Sequence, residues 1–134
     1  MDKNLKSVID KRIDRAAAAL EKNGFSVIRV KAKEDVIPAI AGYISEGDVV
    51  GIGGSMTLFE TGVIDWLHTN GCKLLDRYEK GLTGEQTREI FRQSLLSDVY
   101  LASANAVTED GRLVNVDGNG NRVAAMIYGP KSVI

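Results

Sequence analysis

Val49-Val50-Gly51-Ile52-Gly53-Gly54-Ser55-Met56-Thr57 is an apolar run that breaks into three glycines and passes into a helix led by a serine. The run Val49 to Ile52 reads as a buried strand, and Ser55 supplies the side-chain oxygen that caps a helix. Strand, glycine turn and helix in that order are the unit of an α/β fold. Glycines here permit close backbone approach and positive φ, and the N–H groups of the first helical turn face outward as donors. No Asp or Glu lies between Met56 and Phe59, so no side-chain anion answers the positive end of the helix. Two readings fit the stretch: a site for a phosphate or carboxylate, and a strand-to-helix turn that binds nothing.

Three chemistries that use similar loops are excluded by single positions. The dinucleotide fingerprint needs Gly where Met56 stands, and Asp76, placed where a ribose-binding acid belongs, does not replace it. A Walker loop needs Gly-Lys ahead of its Ser or Thr, and the nucleophile elbow needs Gly where Thr57 stands.

Composition bounds the rest. The chain has 134 residues, 44% hydrophobic and 26% charged, which suits one globular domain, residues 1–134, with a core that needs no staples. One cysteine, Cys72, excludes a disulfide framework within the chain. No apolar run follows the basic residues near the N-terminus as a signal peptide requires, and the expected location is the cytoplasm. Net charge is −1 with Lys and Arg scattered, which argues against nucleic acid, and no segment approaches the ~20 apolar residues that span a bilayer.

Along the chain, Leu5, Val8, Ile9, Ile13, Ala16, Ala17 and Leu20 recur at helical spacing up to Asn23-Gly24. Phe25 to Val30 reads as a strand, and Glu34 to Ser45 as a helix that accepts Pro38 only in its first turn. Met56, Phe59, Val63, Trp66 and Leu67 predict one helix from Ser55 to Thr69, with Trp66 in the core, closed by Asn70-Gly71. Lys73 to Asp76 is the next strand. The capping box Thr83-Gly84-Glu85-Gln86 opens a helix to about Ser97, and Val99 to Ala102 is again a strand. Alternation of this kind predicts an α/β fold, a three-layer, mostly parallel Rossmann-like sheet flanked by helices. Ala106 to Thr108 and Leu113 to Val116 flank Glu109-Asp110-Gly111-Arg112, an Asp-Gly turn that predicts an appended β-hairpin.

Asn115-Val116-Asp117-Gly118-Asn119-Gly120-Asn121-Arg122 is the second polar segment. Asn115 and Asp117 share a face if it is extended, and a solvated Asn/Gly turn is the alternative. A calcium loop would need Gly at Arg122 and Glu at Tyr128. His68 and Cys72 lack the second His or Cys that a zinc or iron–sulfur set requires. Glu60, one turn beyond the glycine loop, is a candidate acid or base, or a solvent-facing helical carboxylate. Arg77, after a strand, is a candidate partner for a ligand carboxylate or phosphate, or one half of a structural salt bridge.

Gly51-Ile52-Gly53-Gly54-Ser55-Met56-Thr57-Leu58-Phe59-Glu60-Thr61-Gly62, with Asn105-Ala106-Val107-Thr108-Glu109-Asp110-Gly111 and the segment from Asn115 to Ala125, resembles the lactate-utilisation (LUD) domain family from about Leu5 to Ile134. The resemblance implies a fold related to ribose-5-phosphate isomerase, the glucosamine-phosphate deaminases and the CoA transferases. By that analogy Gly53, Gly54, Ser55 and Thr57 grip an anionic substrate, and Asp117 occupies the acidic position of an Asp-Gly motif. The candidate catalytic residues are thus Glu60 and Asp117. The candidate anion-binding residues are Gly51, Gly53, Gly54, Ser55, Thr57, Arg77, Asn105, Asn115, Asn119, Asn121 and Arg122, with no metal ligands. The family implies a role in lactate utilisation: binding a small anionic metabolite, or acting as a non-redox subunit beside iron–sulfur partners that carry the clusters, with no cofactor on this chain. The fold relatives imply the alternative of a stand-alone enzyme acting on a phosphorylated sugar or an acyl-CoA. Family domains commonly continue past Gly129-Pro130 with a further strand and helix, so the C-terminal segment is expected to be covered by another copy in a homo-oligomer.

Overall fold

A computed structural model describes residues 2–134. In chain order the elements are α1 (Lys3–Lys22), α2 (Val36–Ile40), β1 (Val49–Ile52), α3 (Met56–Glu60), α4 (Val63–Leu67), β2 (Lys73–Leu75), α5 (Gly84–Ser94), β3 (Val99–Leu101), β4 (Ala106–Val107), β5 (Leu113–Val114), α6 (Asn121–Ile127) and β6 (Ser132–Val133). They form two compact units. One runs to Arg29 and includes Ala104–Val116; the other comprises Val30–Ser103 and Asp117–Ile134.

The first unit is a helix stapled to a hairpin. Asp2 caps α1 by accepting from the Asn4 N–H at 2.6 Å, and the helix ends at Gly24 with φ 92°, a conformation glycine adopts without strain. The predicted hairpin forms, with Ala106 opposite Val114 and Val107 opposite Leu113. Its turn glycine, Gly111, has φ 80°, and a Cβ there would sit 2.5 Å from the Ala19 carbonyl carbon. Helix and hairpin are further joined by Glu109, which pairs with Arg12 at 2.6 Å and Arg15 at 2.7 Å.

The second unit holds a parallel four-stranded sheet in the order β2-β1-β3-β6. Side chains alternate across it. Val50, Ile52, Val99 and Leu101 pack on one face with Leu58, Val63, Ile64 and Leu67 of the α3 and α4 crossover. On the other face Gly51 lies beneath α5, where a Cβ would come 2.8 Å from the Ser94 Cβ and 2.9 Å from Tyr100 Cδ2. The chain leaves β1 toward β2 by one face and returns past it to β3 by the other, so the strand order reverses at β1. Open α/β sheets form their crevice outside the carboxyl ends of strands at such a reversal.

Three expectations are corrected. No strand forms over residues 25–30. Phe25, Ile28 and Val30 are exposed, the Phe25 N–H bonds the Leu20 carbonyl at the helix end, and Arg29 is held by Asp10 and Asp14. Apolar content supplies no ladder partner by itself. The Glu34–Ser45 helix is three short pieces, 3-10 turns at Lys33–Asp35 and Ala41–Tyr43 around α2, with Pro38 in the first turn of α2. The Ser55–Thr69 helix breaks at Gly62, whose φ of 71° starts a second helix in a new direction. Apart from these, the Asn/Gly segment bends at residues 118–120, as the turn reading has it, and a helix that no expectation covered, α6, begins after Gly120 at φ 70°. The C-terminal residues pair with β3 as the edge strand β6. Among the described residues no helix is long and apolar enough to cross a membrane.

Candidate functional site

The loops after β1, β2 and β3 converge at the strand-order reversal. Ser55, 6% exposed, caps α3 by accepting from the Leu58 N–H at 3.4 Å. Its Oγ lies 2.6 Å from Ser103 Oγ, just beyond β3. Its own N–H donates to the hydroxyl of Tyr78, just beyond β2, at 3.2 Å.

None of the three loop glycines has positive φ; of the two reasons glycine suits this loop, close approach is what requires it at Gly51 and Gly53. A Cβ on Gly53 would meet the Ala102 Cβ at 3.1 Å and the Tyr100 hydroxyl at 3.3 Å. Gly54 is exposed, and a Cβ there would touch Arg77 Nη1 at 3.6 Å. Gly51 belongs to the sheet packing under α5.

Arg77 is half-buried. Its guanidinium stacks over the Phe91 ring at 4.5 Å and lies 5.5 Å from the Tyr78 ring centroid, which itself meets Phe59 edge-on. Among the described residues it has no carboxylate and no hydrogen-bond acceptor.

Arg122 and Asp117 close the cluster from below. Their side chains are 10% and 8% exposed and pair at 2.7 Å. Arg122 Nη1 also donates to the Ser103 carbonyl at 2.7 Å, and Asp117 Oδ2 accepts from the Val123 N–H at 2.8 Å. Burial pushes the Asp117 carboxyl up, but the Val123 N–H and the Arg122 guanidinium pull it below the ordinary carboxylate range. Burial likewise raises the Tyr100 phenol, with Arg77 opposing, so Tyr100 is a neutral donor at physiological pH.

The structure therefore brings together Gly53, Gly54, Ser55, Arg77, Asp117 and Arg122, with Gly51 one residue inside the strand. The others lie elsewhere. Thr57 is exposed on α3, its carbonyl accepting from the Thr61 hydroxyl. Glu60 is a surface carboxylate paired with Lys33 at 3.3 Å. Asn119 and Asn121 line a groove of about 290 Å³ between α5 and α6, with Arg88 and Arg92. Asn105 and Asn115 belong to the other unit: Asn105 Oδ1 accepts from the Val116 N–H at 3.0 Å, and Asn115 Oδ1 is buried without a partner. Sequence reasoning missed Tyr78, Tyr100 and Ser103. Tyr100 sits directly across from Gly51 in the β1–β3 register, and a tyrosine amid apolar strand residues is the signal that was there to find.

Among the described residues no group of three or more His, Cys, Asp and Glu is placed to hold a metal ion. Cys72 is half-buried, its thiol pushed up by burial and donating to the Leu67 carbonyl at 3.3 Å.

No curated protein and no solved structure matches the chain. The family model of the LUD domain matches residues 13–134, and a match of that extent places this chain in the LUD domain family, as a lactate-utilisation-related protein.

Proposed function

We propose that the chain binds a small anionic metabolite at the Gly53–Ser55 loop and serves lactate metabolism as a non-redox protein beside iron–sulfur partners. One observation carries the binding reading: the Arg77 guanidinium, half-buried and stacked on Phe91, faces the bare backbone of Gly54 with no counter-ion among the described residues. A guanidinium withdrawn from water without an anion is costly, and a ligand carboxylate or phosphate would answer it with two parallel hydrogen bonds. Asp117 holds Arg122, and Arg122 holds Ser103, so the walls of the site are fixed before a ligand arrives. The partner half of the reading is supported by family membership and by a chain whose single cysteine is already engaged with Leu67.

Thermal unfolding of the full chain against L-lactate, pyruvate, sugar phosphates and acyl-CoAs tests the binding. Ligand at a hundred times its Kd stabilises by roughly 2.7 kcal/mol, several degrees for a chain of this size. The expected result is a shift with one ligand class that disappears in Arg77→Met and in Gly53→Asp, which fills the site with a carboxylate. No shift with any class, or a shift that Arg77→Met leaves intact, overturns the assignment. Stable co-purification with an iron–sulfur protein supports the subunit role, and turnover of a sugar phosphate or acyl-CoA by the isolated chain refutes it.

A further inference from the structure

Buried tyrosines ordinarily reach a hydrogen-bond partner. Tyr100 is 1% exposed, yet among the described residues its hydroxyl neither donates nor accepts a hydrogen bond, and its oxygen is not sealed off. The oxygen lies 3.3 Å from where a Cβ of Gly53 would be, so the space in front of it exists because residue 53 has no side chain. The charged and titratable groups that face it are Arg77, Asp117, Arg122 and Tyr78.

We propose that Tyr100 is the specificity-determining donor of the anion site, giving its phenolic hydrogen bond to an oxygen that the ligand carries beside its carboxylate. The inference rests on the reading that Arg77 takes the carboxylate. A guanidinium engages a carboxylate through both oxygens, which leaves Tyr100 to read a different atom. Each of the other hydroxyls already has a partner in the free protein, Ser55 Oγ and Ser103 Oγ each other at 2.6 Å and Tyr78 Oη the Ser55 N–H at 3.2 Å, whereas Tyr100 Oη has none among the described residues. Tyr100 is a donor across neutral pH, because burial holds its phenol above the ordinary range. A site built to hydrogen-bond a substrate oxygen rejects the analogue that lacks it. The ligand class is therefore a small acid with a hydroxyl or carbonyl oxygen on the carbon next to its carboxylate, as against a plain alkyl acid.

L-lactate and propionate, which differ by that one hydroxyl, are the probes, titrated calorimetrically into the full chain and three variants. Wild-type protein is expected to bind L-lactate more tightly. Tyr100→Phe should lose about three- to tenfold on L-lactate, the worth of one neutral hydrogen bond, with propionate unchanged. Its Tm should not fall, since the oxygen removed holds nothing in the free protein. Gly53→Ala, which places a methyl over the same oxygen, should reproduce the selective loss with Tyr100 in place. Arg77→Met should weaken both acids alike. Equal losses on both acids in Tyr100→Phe and Gly53→Ala, or no loss in either, overturn the role of Tyr100 while leaving the Arg77 site standing. Undiminished binding in Arg77→Met overturns the Arg77 reading, and wild-type protein that binds neither acid overturns the ligand class.

Discussion

Asp117→Asn should cost about 3–5 kcal/mol of folding stability, the loss expected when one partner of a buried ion pair is removed. Asp117 Oδ1 receives Arg122 Nε at 2.8 Å and Nη2 at 2.7 Å, while Oδ2 receives the Val123 N–H at 2.8 Å. An asparagine keeps one acceptor, so its NH₂ must face either the guanidinium or the Val123 N–H, and Arg122, 10% exposed, loses the carboxylate that faces it. Against a total of about 5–15 kcal/mol the loss is large. It lowers Tm by roughly 10–20 °C. Urea unfolding followed by circular dichroism measures it, with Arg122→Met as the second single variant. The double variant should cost less than the sum by about 0.5–3 kcal/mol, because the charge that each single change strands is then gone. Acid supplies an independent check. The Asp117 carboxyl titrates below its ordinary range when folded, so on acidification the unfolded chain takes up the proton first. The pair's contribution is complete above the ordinary carboxylate pKa, about 3.9, and fades as pH falls below it. The gap between wild type and Asp117→Asn should therefore narrow in acid. A loss under about 1 kcal/mol at pH 7, or a gap that widens as pH falls, would refute this reasoning.

Gly111→Ala should destabilise by about 1–3 kcal/mol from its backbone conformation and by more where its methyl meets the Ala19 backbone; an unchanged Tm refutes the close approach. Gly51→Ala forces a methyl between Ser94 and Tyr100, an overpacking worth about 1–3 kcal/mol in urea unfolding. Glu109 is held below the ordinary carboxylate range by Arg15 and Arg12. Its contribution is present above that range and lost as pH falls through it, so Glu109→Gln should differ from wild type at pH 7 in low salt and converge with it in acid or high salt. We propose self-association through the open outer edge of β6, where Val133 is exposed; a monomeric mass by sedimentation at micromolar concentration refutes it.

What the sequence disclosed was local. Val49–Ile52, the Thr83–Gln86 capping box and the Asp110-Gly111 turn each carry their own signal within a few residues, and each forms as expected. What it concealed depended on partners distant in the chain. Phe25–Val30 has a strand's composition but no neighbour to pair with, and Gly62 interrupts an apolar stripe that is continuous on a helical projection. Asn121–Ile127 follows a run of Asn and Gly that masks the helix start behind Gly120. The site divides the same way. Gly53, Gly54 and Ser55 were visible because backbone chemistry marks them, and Arg77 because it follows a strand. Ser103 and Tyr100 were not, since the residues they meet in the site, Ser55 and Gly53, lie 48 and 47 positions earlier in the chain.

The two carboxylates singled out from sequence are both occupied. Glu60 answers Lys33 at the surface, and Asp117 bonds Arg122 and the Val123 N–H. A carboxylate held on both oxygens and titrating low is a poor proton acceptor near neutrality, so Asp117 suits holding Arg122, and through it Ser103, rather than abstracting a proton. The groups in the cluster without partners among the described residues are the Arg77 guanidinium, a donor, and the Tyr100 hydroxyl, which can donate. A guanidinium beside a phenolic O–H attracts an oxyanion and repels a cation. Burial raises the Tyr100 phenol, so its donor persists above neutrality and L-lactate binding should hold between about pH 7 and 9. L-lactate binding that fell steadily over that range would refute Tyr100 as the donor.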